Sequence, residues 1–173
     1  MSSALAFSAY FVQTEHGWTP WQYAAMALTA GALGILGNAW AGRVADARGR
    51  RGVGFVLMAS FPLWALAFFR GPELLVPLAW VALVFSLTGT STVARALAGE
   101  LFPTHQRGTA AGWLQLAEAL GRIGGLALVD WSTPSGGSSI PAVLWLSLAS
   151  LLGAGAVLLL PETRRRELEE ISG

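Results

Sequence analysis

Apolar residues in this chain come in long blocks separated by short polar stretches. One short block covers 4–12, and five long ones cover 23–40, 53–69, 74–99, 109–131 and 140–160. A helix rises 1.5 Å per residue, so about twenty apolar residues cross the ~30 Å hydrocarbon layer of a bilayer. Each long block has that reach, and 74–99 has length to spare for tilt or for extension into the interface. Backbone groups inside hydrocarbon must pair within their own segment, so the blocks are predicted to be helices. The alternating pattern of a membrane β-barrel is absent. Block 4–12 is too short to cross as a helix. The pattern therefore predicts an all-α integral membrane protein with one truncated helix followed by five complete ones.

Charge sharpens this picture. Only 12% of the 173 residues are charged, against about 25% in a soluble domain. The connections alternate in character. Stretches 13–20, 70–73 and 132–139 hold one arginine among them, Arg70. Stretches 41–52, 100–108 and the tail after 160 hold eight: Arg43, Arg48, Arg50, Arg51, Arg107, Arg164, Arg165 and Arg166. The positive-inside rule places this second set, and the C-terminus, in the cytoplasm of a multi-pass protein of the cell (inner or plasma) membrane. Trp18, Trp21, Trp40, Trp113 and Trp131 fall near predicted segment ends, as an interfacial aromatic belt requires.

Three motifs occupy the three arginine-bearing connections. The first is Gly42-Arg43-Val44-Ala45-Asp46-Ala47-Arg48-Gly49-Arg50-Arg51, which reads as a tight, glycine-bounded turn. Gly42 lacks a side chain and is expected to permit close helix approach, and Gly49 to supply a positive φ. The second is Glu100-Leu101-Phe102-Pro103-Thr104-His105-Gln106-Arg107-Gly108-Thr109, and the third starts at Pro161-Glu162-Thr163 and runs to Ile171. In that order and at that helical separation, they resemble the loop signatures of the major facilitator superfamily. The resemblance covers essentially the whole chain. It implies helices seven (partial) to twelve of a twelve-helix fold, that is, a six-helix C-terminal half with its first helix truncated. It points to the sugar-porter-like or a related metabolite:proton symporter branch. The implied organisation is a transmembrane bundle over 1–160 and a cytoplasmic tail over 161–173. It also implies a gate in which Gly42, Asp46, Gly49, Arg50, Arg51, Glu100, Arg107 and Glu162 lace the cytoplasmic helix ends together. For the arginines alone, topology and lipid headgroup contact are an equal explanation. Acidic Asp46 and Glu100 are not needed for topology and favour the gate.

Inside the membrane the strongest candidates are Glu118 and Arg122, four apart on one helix face, with Gln115 extending the stripe. A charge at mid-bilayer costs roughly 2.5–3.5 kcal/mol on insertion scales and marks a substrate or proton path. Glu118 is read as a proton-coupling carboxylate and Arg122 as its partner or an anion contact. The competing reading is a static ion pair that fixes helix packing. Asn38 and the hydroxyls of 88–92 are weaker cavity candidates, because membrane Ser and Thr usually bond a nearby backbone. Gly31, Gly34 and Gly37 mark a close-packing face. Pro62 and Pro77 are expected to kink their helices. Arg95 is read as snorkelling to the membrane surface.

The absence of cysteine excludes disulfides and thiolate chemistry. His16 and His105 stand on opposite sides of the membrane, so no metal site and no cofactor is expected. No phosphate loop, catalytic cluster or nucleic-acid patch is present. The expectation is transport of a small polar solute, of the sugar or organic-acid class, by proton-coupled alternating access. The partners would be the bilayer, the solute and the missing N-terminal half of a longer transporter. A non-transporting scaffold or sensor on the same fold is the alternative, ahead of a membrane-embedded enzyme.

Overall fold

The computed structural model describes residues 2–134 and 137–161. The described residues are helical throughout, with no strand among them. The order is α1 (Ser2–Ala6), α2 (Ser8–Glu15), α3 (Pro20–Arg48), α4 (Arg50–Arg70), α5 (Val76–Leu101), α6 (Arg107–Ser132), α7 (Ile140–Ser147) and α8 (Ala149–Leu159). Short 3-10 turns at Glu73–Leu75 and Thr104–Gln106 lead into α5 and α6. Four segments are long and apolar enough to cross a membrane: Pro20–Arg48, Arg50–Arg70, Glu73–Leu101 and Ile140–Leu159. Helix α6 has the length, at 26 residues, but is not among them. Its Glu118, Arg122 and Asp130, with a run of glycines and alanines, lower its hydropathy.

Local chemistry explains the helix ends. At the start of α3, Thr19 and Gln22 form a reciprocal capping box with Pro20 behind the cap. The Thr19 amide donates to Gln22 Oε1 at 2.7 Å and the Gln22 amide to Thr19 Oγ1 at 3.4 Å. This answers two amide donors that every helix start leaves open. Twenty-nine residues make α3 about 44 Å long, more than the hydrocarbon needs. Its final turns therefore carry Arg43, Asp46 and Arg48 as helix, not as loop. The predicted tight turn over 42–51 shrinks to Gly49 alone. Pro77 falls in the first turn of α5 and kinks nothing, since its missing N–H would have had no partner there. Pro62 does lie inside α4. The first segment is helical as far as Glu15, in two short pieces, rather than ending at Val12.

Helix α5 packs against α3 on one side and α4 on another, and α4 in turn packs against α7 and α8. Aromatic rings fill the end of the bundle away from the arginine-rich connections. Phe11 packs on Phe69 and Phe68 with ring centroids 5.0 and 5.5 Å away, and Phe68 packs on Trp80 at 5.4 Å. At the arginine-rich end Ala45, Leu57, Val93 and Leu97 form a second core.

Glycines set the helix spacing, as the 31–34–37 repeat predicted, with a difference in detail. A Cβ on Gly34 would meet Val84 at 3.4 Å, and one on Gly37 would collide with the ring of Phe85. Gly31 faces open space. On α5, a Cβ at Gly89 would meet Leu57 at 2.9 Å and Ala41 at 3.5 Å, which makes Gly89 the meeting point of three helices. Gly42, expected to allow close approach, has nothing within 4 Å of a Cβ. The close approach lies one to two turns deeper, where α3 and α5 face each other.

Gly37→Val is expected to push α3 from α5 and lower the melting midpoint in detergent by several degrees. Gly31→Ala should leave it unchanged or raise it slightly, because Ala is the better helix former. Equal losses in both variants would contradict this packing.

Candidate functional site

The arginine-rich end is built around a one-residue connection. Gly49 has φ +103 and ψ 138, conformations that a side chain resists, and its amide donates to Ala45 O at 2.9 Å. The chain thus leaves α3 at Arg48 and enters α4 at Arg50. Arg50 Nη2 donates to Asp46 Oδ1 at 2.9 Å, and Arg50 Nη1 pairs with Glu100 Oε1 at the end of α5. One guanidinium therefore joins three helices, as its rigid fork permits.

The two acids are not equivalent. The Arg50 and Glu100 side chains are 18% and 23% exposed, whereas Asp46 is 65% exposed. An exposed i,i+4 pair is worth about 0–1 kcal/mol and is screened by salt. The less exposed Arg50–Glu100 pair is screened less and dominates the cluster. Arg51, the next residue, donates to the Leu158 carbonyl in the last turn of α8. Carbonyls in a last helical turn lack intrahelical partners, and a cation there complements the helix dipole. Arg51 thereby ties α4 to the end of the final span.

Arg107 departs from the expected network. Its Nε donates to Phe102 O at 3.3 Å, closing the connection that carries it instead of reaching Glu100. The chain bends at Pro103, and this brings Arg107 back over the end of its own loop. Glu162 lies outside the described residues.

The polar stripe of α6 is a separate feature. Only Ala110 and Val129 are buried on this helix. Gln115 is exposed, and the Glu118 and Arg122 side chains are 29% and 60% exposed. Arg122 Nη2 lies 4.0 Å from Glu118 Oε2, a loose ion pair beyond hydrogen-bond length. The guanidinium can therefore still donate to a third group. Asn38 sits on α3 between Gly37 and Ala41, and its Oδ1 is enclosed without a hydrogen-bond partner among the described residues. Of the hydroxyls on α5, Thr88 donates to Val84 O at 2.8 Å and Thr92 to Thr88 O at 3.0 Å, the backbone bonding anticipated for them. Thr90 Oγ1 is buried and without a partner among the described residues. The structure therefore brings together Asp46, Gly49, Arg50 and Glu100, and separately Glu118 with Arg122.

A pocket of about 210 Å³ opens at the opposite end, among Phe7, Tyr10, Thr14, Glu15, Phe69 and Ser139. Glu15 is the one charged side chain among the described residues that line it. No cluster that could hold a metal ion occurs among the described residues.

Comparison with known proteins adds a family match and two relatives. The model of the Major Facilitator Superfamily matches residues 1–172. A repressible high-affinity phosphate permease of Neurospora crassa is 31% identical over 147 residues, covering 74% of this chain and 25% of that protein. An inorganic phosphate transporter of Saccharomyces cerevisiae is 32% identical over 135 residues, covering 69% of this chain and 22% of that protein. The chain thus spans about a quarter of the length of these relatives.

Glu100→Gln is expected to lower the melting midpoint clearly more than Asp46→Asn does, and 0.5 M salt should narrow the gap little. Gly49→Ala should cost about 1–3 kcal/mol, because the backbone there is strained for any side chain. Thermal unfolding of the three variants side by side checks the ranking, and a larger loss for Asp46→Asn would reverse it.

Proposed function

Because the chain belongs to the Major Facilitator Superfamily, a family of membrane transporters, we propose that it forms the six-helix C-terminal half of a transporter for inorganic phosphate. Both relatives named above are phosphate transporters, which supports phosphate instead of the sugar or organic-acid class expected from the tail and the 100–109 motif. The observation that carries the reading is the Glu118–Arg122 pair. It lies on the one long helix whose face the other described helices leave largely uncovered, and its guanidinium keeps donors to spare. A planar guanidinium suits an oxyanion, because two of its N–H groups can meet two oxygens at once.

In this reading α6 lines a path between this half and the remainder of the longer protein. A site near the midplane between two halves is the usual arrangement of secondary transporters. Arg122 meets the phosphate, and Gln115 offers a neutral hydrogen-bonding group beside it. Glu118 competes with the anion for Arg122 when it is ionised and releases Arg122 when it takes a proton. Proton uptake and phosphate binding then favour each other, which is the requirement for symport.

The Arg50 cluster serves as the gate at the arginine-rich end, which the positive-inside rule places in the cytoplasm together with the 161–173 tail. While α3, α4 and α5 are joined by Arg50, and α4 and α8 by Arg51, that end stays closed. Opening it must break the Arg50–Glu100 pair.

The test is uptake of radiolabelled phosphate by the full-length transporter in proteoliposomes. Arg122→Ala should reduce uptake at least tenfold, and Arg122→Lys should retain a part, since the point charge survives without the fork. Glu118→Gln should abolish stimulation by an inward proton gradient while phosphate counterflow persists. Retained gradient stimulation would remove the proton role. Undiminished uptake in Arg122→Ala would remove the phosphate contact.

A further inference from the structure

Pro62 lies in the interior of α4, where it is buried. Having no N–H, it cannot donate to the carbonyl four residues back, and its ring crowds that carbonyl. That carbonyl belongs to Met58. It receives instead a hydrogen bond from another helix: Ser150 Oγ of α8 donates to Met58 O at 3.0 Å. The same hydroxyl lies 2.8 Å from Ser147 O at the end of α7. Gly153, one turn on, has Met58 Sδ at 3.3 Å from where its Cβ would be, so α8 and α4 are in close contact at this depth.

The last span is itself interrupted at the same place. Leu148, between α7 and α8, has φ −63 and ψ −23. Its amide donates to Trp145 O at 3.1 Å, and its carbonyl accepts from Leu151 at 2.9 Å. These three-residue spacings mark a tightened turn, a common hinge form. Two helix interruptions therefore face each other across the α4–α8 contact, and Ser150 is bonded to both.

We infer that Ser150 is the clasp joining the proline break of α4 to the turn at Leu148, so that the two helices bend as one element. A serine hydroxyl has a single proton. That proton is shared between Met58 O and Ser147 O, and when α8 draws away from α4 it passes wholly to Ser147 O. The cost falls on the Met58 carbonyl, which loses the donor that stands in for the amide Pro62 lacks. The device resists separation of α4 from α8 and yet lets the two bend together at their interruptions while the clasp is closed. It is independent of the solute, and it stands whether or not the protein carries phosphate.

The test is a double-mutant cycle on the full-length transporter in detergent, with hydrogen exchange read over 57–62 and 145–151. Ser150→Ala should lower the melting midpoint by a few degrees and speed exchange in both segments together, by about three- to tenfold. In a Pro62→Ala background the new amide satisfies Met58 O, and Ser150→Ala should then change neither midpoint nor exchange over 57–62. An equal loss in both backgrounds, or faster exchange in 145–151 alone, would overturn the inference. Should Pro62→Ala not fold, Ser150→Thr decides. It keeps the hydroxyl and should match wild type in both segments, and exchange as fast as in Ser150→Ala would count against the clasp.

Discussion

Hydrocarbon donates no hydrogen bonds, so a backbone carbonyl or amide within a membrane bundle must be answered by the protein itself. Much of this structure follows from that demand. Helices answer most of the backbone. Thr29, Thr88, Thr92, Ser132 and Ser147 spend their hydroxyls on carbonyls three or four residues earlier in the same helix. Where Pro62 breaks the rule, a serine from another helix supplies the missing donor. The same demand explains why charge concentrates at the helix ends, where water and headgroups are available, and why the charges of α6 stand out.

Within that constraint, side-chain volume decides which helices approach. Glycines on α3 and α5 let the two helices meet over Val84, Phe85 and Leu57, and aromatic rings close the far end of the bundle. Lipid tails are as apolar as leucine, so tight contact rather than escape from water holds such helices together. Helix α6 shares little of this. It buries few residues and carries its polar stripe on a face that the other described helices leave largely uncovered.

The arginine-rich end works by geometry as much as by charge. A single glycine at positive φ sets Asp46 and Arg50 one helical turn apart across a break, and the length of α5 brings Glu100 to the same level. Arg51 then reaches the end of the final span. Four helices are held by two adjacent arginines. That is a compact means of tying four helix ends together at one end of a bundle.

Much of this was legible in the sequence, because hydropathy and helix length depend on composition alone. The block pattern predicted helices in the right places, the motifs matched the superfamily, and the Gly49 turn, the Arg50 cluster and the Glu118–Arg122 spacing could be read from residue types and intervals. Tertiary packing decided the rest. It alone showed that the 42–51 stretch is helix interrupted once, since a long α3 continues through charged residues when they stand beyond the hydrocarbon. It separated Glu100, largely enclosed with Arg50, from Asp46, mostly exposed, although both are acids beside arginines. It turned Arg107 back on its own loop and left Gly42 without a neighbour. It also found a partner for the carbonyl that Pro62 frees. The sequence announced that gap through the proline, but the donor, Ser150, lies 88 residues after Pro62 and only the packing of α8 on α4 brings it there.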